Sequence, residues 1–443
     1  MMLHARAAAS RRTFLKHIGA GALMPLALPR LVRAASANGK VQHAGIGVNG
    51  MGFNDLHSIA SHEHVDVAAI CDVDKNRIKR AAEQWPNAKH FDDYRRMFDE
   101  FGDQIDSVNV STPDHTHAAI TLTAMSRGKH VYTEKPLTHD LWEARQLTLA
   151  AERSPDLVTQ MGNQINSRTV YRTAVQMIQE GTIGKVREVH SFVTSGIEID
   201  ERPAEGDTIP DSLNWEAWIG PASMRPYVKD IYHPYRWRYW LDFGTGQMGN
   251  FGAHLFDPVT NALQLGPART AVSEGNGATE EHWPRGGQIR FTFDATEYTD
   301  DAGLTVTWYD GGRRPPEDLV DMPEGRSLPS NGSIFIGEKG VMMLPHVGAP
   351  QFLPEELNRS ITRPTLEPRN HWHSFIDAVR GEDETTSRFG ISGPLTELCL
   401  VGTVAQQHHG ELLKWDPQAM RFIDNPQATE LVKPAYRSGW FPG

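Results

Sequence analysis

From residue 41 the chain alternates short apolar runs with longer amphipathic stretches. "VQHAGI" predicts a short strand and breaks into the glycine-rich "GVNGMG"; a helix-length stretch follows, then a second strand, "VDVAAIC", ending at Asp72. The apolar run Ile105–Val110 reads as a buried parallel strand, and "STPDHTHAAI" as its exit loop and the start of the next helix. "HVYTEKP" is a further short strand ending in Glu134-Lys135-Pro136. Alternation of this kind predicts an α/β fold with a doubly wound parallel sheet. Later, "SIFIGEKGVMML" places two apolar runs about a turn at Gly337–Gly340, a hairpin pattern. Trp372, Phe375, Ile376 and Val379 recur at helical spacing and stop at Gly381, predicting an amphipathic helix. His408–Gly410 reads as a helix C-terminus. There is no internal repeat or low-complexity tract.

At 443 residues the chain is long enough for two domains with their own cores, and 39% hydrophobic with 22% charged residues excludes a disordered or fibrous class. Residues 1–37 stand apart: they hold six Lys/Arg and no acid. "SRRTFLK", the weakly hydrophobic "HIGAGALMPLAL" and the small-residue "AASA" have the layout of a twin-arginine signal peptide, with cleavage expected after Ala37. The apolar stretch is short and contains Pro25 and Pro29, which argues against a membrane-spanning helix. Removing the six leader cations takes the formal charge from −11 to −17. So acidic a surface argues against nucleic acid or membrane as partner. Export through the twin-arginine translocase to the periplasm or exterior is the expected localisation. Cys71 and Cys399 each lie in an apolar segment and read as core thiols.

The turn after the first strand fits a dinucleotide fingerprint in two registers: Gly45-x-Gly47-x-x-Gly50 by letter, and Gly47-x-Asn49-x-x-Gly52 by position after the strand. The second is preferred, because Asn is the non-Gly residue that most readily takes positive φ. Gly47, Asn49, Gly50, Met51 and Gly52 are then the candidate pyrophosphate cradle, at a helix N-terminus whose free N–H groups favour an anion. Asp72 follows Gly52 by twenty residues, at the tip of the second strand, where it would accept hydrogen bonds from ribose hydroxyls and repel a 2′-phosphate. NAD is therefore expected over NADP. Ligands of parallel sheets bind beyond the strands' carboxyl ends, which places Thr112, Pro113, His117 and Lys135 in one crevice. His117 has two readings, a cofactor contact or a packing residue, and Lys135 two, a reactive group or a solvated turn.

The glycine-rich turn, "CDVD", "STPDHTH" and "EKP" occur in the order and spacing of the glucose–fructose oxidoreductase, inositol dehydrogenase and MocA-like (Gfo/Idh/MocA) family, which this chain resembles. The likeness continues through "TQMGNQ", "IGKVREVH", "GTGQMGNFGAHLFDPV" and "NHWHSFIDAVRGE", covering nearly everything after the leader. It implies an NAD-binding Rossmann domain, 38–160, and a substrate-binding and oligomerisation α/β domain, 161–443, built on a large, mostly antiparallel open sheet. Hydride transfer at a sugar or cyclitol hydroxyl and a homo-oligomer, dimer or tetramer, are implied too. Glu134 and Asn163 join the cofactor contacts within "EKP" and "TQMGNQ". Lys135 carries over as the group that hydrogen-bonds the reacting hydroxyl, and desolvation beside a cationic nicotinamide would pull its pKa toward neutrality. The family's Asp-x-x-x-His reads Asn250 and His254 here: His254 is a candidate base, while Asn250 can position a hydroxyl but not take its proton. Asp257 is a structural or helix-start partner.

Residues 214–249 are dense in Trp, Tyr, Arg and His, and hold Trp215, Trp218, Trp237 and Trp240. This is either a platform for sugar rings or an aromatic core under a long loop. Tyr232, His233, Arg236 and Trp237 are the candidate sugar contacts. His371 and His373 stand two apart, on different helix faces, so no metal site is assigned.

An exported dehydrogenase that released NADH each turnover would stall where free NAD is scarce, so the expected cycle is redox-neutral on a cofactor loaded before export. Hydride exchange at a sugar or glycoside hydroxyl ranks first. An NAD-dependent glycosidase working through a transient 3-keto glycoside is the alternative, and a non-catalytic exported sugar-binding protein the second.

Overall fold

The computed structural model describes residues 39–197, 201–325 and 327–441. The leader lies outside them. The first half alternates as the sequence pattern predicts: β1 (Val41–Ile46), α1 (Met51–Ala60), β2 (Val65–Cys71), α2 (Lys75–Gln84), β3 (Lys89–Phe91) and α3 (Tyr94–Phe101). β4 (Ser107–Val110), α4 (Asp114–Ser126), β5 (His130–Thr133), α5 (Leu141–Arg153) and β6 (Thr159–Met161) complete it. All six strands pair in parallel, in the order β3-β2-β1-β4-β5-β6. Strand order reverses between β1 and β4, so the crevice above their carboxyl ends is where a ligand is expected.

The second sheet is assembled from α6 (Thr169–Gln179), β7 (Val186–Val193), α7 (Trp215–Ile219), α8 (Gly246–Leu263), β8 (Thr270–Gly275), β9 (Gly287–Phe293) and β10 (Leu304–Tyr309). Then come β11 (Asn331–Gly337), β12 (Val341–Pro345), β13 (Gln351–Leu353) and α9 (Glu355–Ser360). α10 (His371–Val379), α11 (Phe389–Gln407), β14 (Leu413–Asp416), β15 (Arg421–Ile423) and α12 (Pro426–Glu430) end the chain. Nine strands run in the order β13-β12-β11-β7-β10-β9-β8-β14-β15, antiparallel at every junction except β7 with β10. The turn at Gly337–Gly340 closes the β11–β12 hairpin, with Gly337 N donating to Gly340 O at 2.9 Å. Phe256 of α8 packs edge-on against Phe291 and Trp308, holding that helix on the sheet face. Both cysteines are free and buried.

Chain order and spatial order part company at the C-terminus. α10, which the sequence places in the second domain, lies on the first: buried Phe375 and Ile376 share a core with Val41, Ile59, Val65 and Tyr132. Its amphipathic face needs an apolar partner, and the outer face of α1 and β5 supplies one. Phe375→Ala is expected to cost about 3–5 kcal/mol and to raise amide exchange across 371–379 together with the β1 and β5 amides. Exchange that rises in α10 alone would show the helix to be a detachable appendage.

Candidate active site

The turn leaving β1 is shaped by steric need. Gly47 has φ +76°, and a Cβ there would lie 2.6 Å from Ser111 O; a Cβ on Gly52 would lie 1.8 Å from Gly47 O. Backbone therefore comes close enough to backbone for α1 to begin directly under the crevice. Asn49 does not take the positive φ expected of it. That falls at Gly47 and Gly50, the latter at φ +56°. Asn49 instead works through its amide: Oδ1 accepts from Gly50 N at 2.7 Å and Nδ2 donates to Arg77 O at 3.2 Å, pinning the turn to α2. Gly45 belongs to β1 and takes no part in the turn.

Asp72 closes the other side. Its carboxylate accepts from Val48 N at 3.1 Å and Asp74 N at 3.0 Å, and burial pushes it up to about 6. Gly47, Asn49, Gly50, Gly52 and Asp72 line a cavity of 560 Å³, together with Met51, Thr112, Pro113, His117, Glu134, Lys135, Asn250 and His254. His117 reaches the wall with both ring nitrogens engaged, to Pro136 O at 2.9 Å and Thr112 O at 2.8 Å, so it ties the start of α4 to the turn after β5. Glu134 sits behind Lys135, buried, and desolvation with the nearby Asp55 pushes its carboxyl pKa up.

Lys135 is the cation at the centre. Its Nζ donates to Asn250 Oδ1 at 2.7 Å and Asn250 O at 2.9 Å. The Asn250 amide is oriented by Gln247, whose Oε1 accepts from Nδ2 at 3.2 Å. Burial lowers the Lys135 pKa against the opposing pull of Glu134, and the neighbouring Arg238 adds to the fall. His254, one helical turn beyond Asn250 on α8, is held far below the ordinary imidazole range by burial and by the Lys135 charge. A neutral imidazole beside a weakened ammonium is a pair able to accept and return one proton.

The aromatic segment divides. Tyr232 is fully buried, its ring 5.2 Å from Trp240 and 5.1 Å from Phe243, and it does not line the cavity. Arg236 is also off the cavity wall. The 3₁₀ turn Arg236–Tyr239 presents Trp237 and Arg238 instead, with the Arg238 guanidinium 4.1 Å from the Trp237 ring centre. Both sugar-contact expectations are corrected, because the segment is core on one side and cavity wall on the other. Asn163 is fully buried and off the cavity wall; it touches His254 rather than the cofactor crevice. His233 does line the cavity, and its Nε2 meets Asp74 Oδ2 at 3.1 Å. Backbone pairing of Lys75 N with Ser212 O at 2.8 Å and Asn214 N with Val73 O at 2.8 Å straps this part of the second domain across the nucleotide end. Arg238 and Arg77 are cavity residues that sequence reasoning passed over, and Trp218, noted only as part of the aromatic segment, lines the cavity too. Arg238 had a readable signal, two positions past Arg236 in the same run.

Family comparison agrees with this geometry. Residues 41–161 match the model described as an oxidoreductase family with an NAD-binding Rossmann fold, and residues 189–294 that family's C-terminal alpha/beta domain. The chain belongs to the Gfo/Idh/MocA oxidoreductase family. Among its curated relatives is glycosyl hydrolase family 109 protein 1 of Shewanella sp. MR-4, 31% identical over 150 residues, which is 32% of this chain. The match spans only about a third, 32%, of that relative's length. In fold, this Gfo/Idh/MocA protein is similar to the WlbA dehydrogenase of Bordetella pertussis, crystallised with NADH and UDP-GlcNAcA: TM-score 0.59 and 16% identity, over 85% of this chain and 99% of that one. It is likewise similar to the myo-inositol dehydrogenase of Lactobacillus casei, crystallised with NAD(H) and myo-inositol: TM-score 0.54 and 16% identity, over 85% and 97%. The glycine turn, packed too closely on its own backbone at 47 and 52 to admit a Cβ, and the acid at 72 fit the NAD that the family binds.

Proposed function

We propose that the protein oxidises a hydroxyl of a sugar or glycoside with a retained NAD and passes the hydride to a second sugar or keto-sugar on the same cofactor, so that the cycle is redox-neutral. The observation that carries this is Lys135 held on Asn250 within the same cavity as the dinucleotide turn and His254. NAD, when bound, supplies the hydride acceptor. Lys135 Nζ would take the hydroxyl proton, Asn250 would orient the cation, and His254 would offer a second acceptor on the same wall. Trp237 and Arg238 give the cavity an apolar face with a donor beside it, the pairing a pyranose ring uses. The strap at residues 212–214 and the His233–Asp74 contact, which tie the second domain to the segment after β2, support retention. Export by the leader, which lies outside the described residues, is part of the same reading: a folded protein would carry its cofactor out.

A glycosidase working through a 3-keto glycoside is the second reading, favoured by the name of the Shewanella relative. Both begin with the same hydride step. The test is to denature the purified protein, quantify the dinucleotide released, and beforehand follow absorbance near 340 nm while sugars and glycosides are added. Stoichiometric NAD(H) whose spectrum changes with a sugar is the expected result. Release of free aglycone from a glycoside selects the second reading. A protein that neither retains nor binds NAD leaves an exported sugar-binding protein as the better account.

A further inference from the structure

Asn163 follows β6 by one residue beyond Gly162, and its amide is locked. Nδ2 donates to Asp257 Oδ2 at 2.6 Å and to Ala253 O at 3.1 Å. Neither partner has a hydrogen to give, so the amide cannot be turned over without facing oxygen to oxygen. Oδ1 is thereby set against His254 Nδ1 at 2.5 Å. An amide oxygen only accepts, so Nδ1 is the nitrogen that carries the hydrogen. Nε2 has no hydrogen-bond partner among the described residues. Asp257 is itself fixed, accepting from Asn166 Nδ2 at 2.9 Å and Tyr171 OH at 2.9 Å as well.

From this chain of contacts we infer that Asn163 is a positioning residue: held by Asp257, it sets the tautomer of His254 and makes Nε2 the one ring atom that can accept a proton or a substrate hydrogen bond. Ala253, His254 and Asp257 lie within one turn of α8, so one buried amide from the end of the first domain's sheet engages three groups of that helix. The carboxylate acts through the amide and never meets the imidazole. His254 therefore keeps its orientation with no charge in direct contact with it, unlike an imidazole held directly by a carboxylate.

The catalytic consequence rests on the function proposed above; the tautomer does not. The test uses the full chain with its bound cofactor, labelled with ¹⁵N-histidine, and assigns the His254 ring by the signals lost in His254→Gln. The expected pattern is a protonated Nδ1 and a bare Nε2. Asn163→Leu, which leaves Asp257 two of its donors, is expected to mix the tautomers. It should lower kcat by about 10–100-fold, with KM within about twofold and NAD content unchanged. Should that variant fail to fold, Asp257→Asn frees the Asn163 amide to turn over and is expected to mix the tautomers in the same way. A proton on Nε2 in the unsubstituted protein, or a tautomer indifferent to both substitutions, overturns the inference. An intact tautomer in a protein that transfers no hydride to or from any sugar overturns the proposed function and leaves this inference standing.

Discussion

Lys135→Met is expected to lower turnover by about 10²–10⁴-fold, the range a positioned proton-transfer group supplies, while leaving the bound NAD in place. The substitution keeps the apolar stem that fills the cavity wall and removes only the ammonium on Asn250. On the proposed reading, cofactor retention rests on other groups: the α1 turn and Asp72, which line the cavity away from the ammonium. The pH profile should move with it. A lysine base must be neutral to take the hydroxyl proton, so the oxidation rate of the unsubstituted protein falls as pH drops through the Lys135 pKa, which burial sets below that of a free lysine. Lys135→Met should lose that limb. The measurements are kcat against pH on whichever sugar reduces the bound cofactor, and NAD released per chain on denaturation. Unchanged turnover would remove Lys135 from the proton path. Lost NAD with otherwise normal folding would make the ammonium part of the cofactor seat.

Gly52→Ala carries the second large effect, on the cofactor rather than the proton. Its added Cβ would lie 1.8 Å from Gly47 O, closer than any carbon and oxygen can approach, and the neighbour is backbone that cannot rotate away. Either α1 moves off the turn or the turn opens, and in both cases the N–H groups no longer converge on one anion. NAD affinity is expected to fall by at least about 100-fold, with the protein purifying free of dinucleotide; loss of oriented backbone donors to a charged group, at about 1.5–3 kcal/mol each, sets that scale. Gly50→Ala is the control. A Cβ there meets nothing within 4 Å, so only the strain of its positive φ remains, about 1–3 kcal/mol. Titration calorimetry on the stripped proteins separates the two. Equal losses at positions 50 and 52 would show that conformation, not close approach, governs the turn.

Much of the first domain was legible because its signals are local. Alternating apolar runs and helix-length stretches marked β1, β2, β4 and β5 with the helices α1 and α4, and Gly47, Gly52 and Asp72 announced the crevice by their spacing, whereas the three-residue β3 and β6 carry too short a pattern to read. Asn49 shows the limit of that reading: its place in the fingerprint was correct and its backbone conformation was not, because Gly50 takes the left-handed turn and leaves the Asn side chain to cap it. In the aromatic run, composition marked a functional segment without saying which residues face inward. Tyr232 and Trp237 are alike in sequence terms and share one buried cluster, but Trp240 and Phe243 close Tyr232 off while Trp237 reaches the cavity wall.

By itself, then, the sequence determined the parallel Rossmann sheet, the dinucleotide turn and the acid at its edge, while Lys135 and His254 stood out only through the motifs shared with the family. Tertiary structure decided what those groups touch. Lys135 meets Asn250 across 115 residues, Asn163 meets His254 across 91, and α10 returns to the first domain from the far end of the chain. Periodicity and turn chemistry are settled by neighbours a few residues apart. Contacts at such separations depend on which apolar faces bury one another, and no short-range pattern in the sequence records that choice.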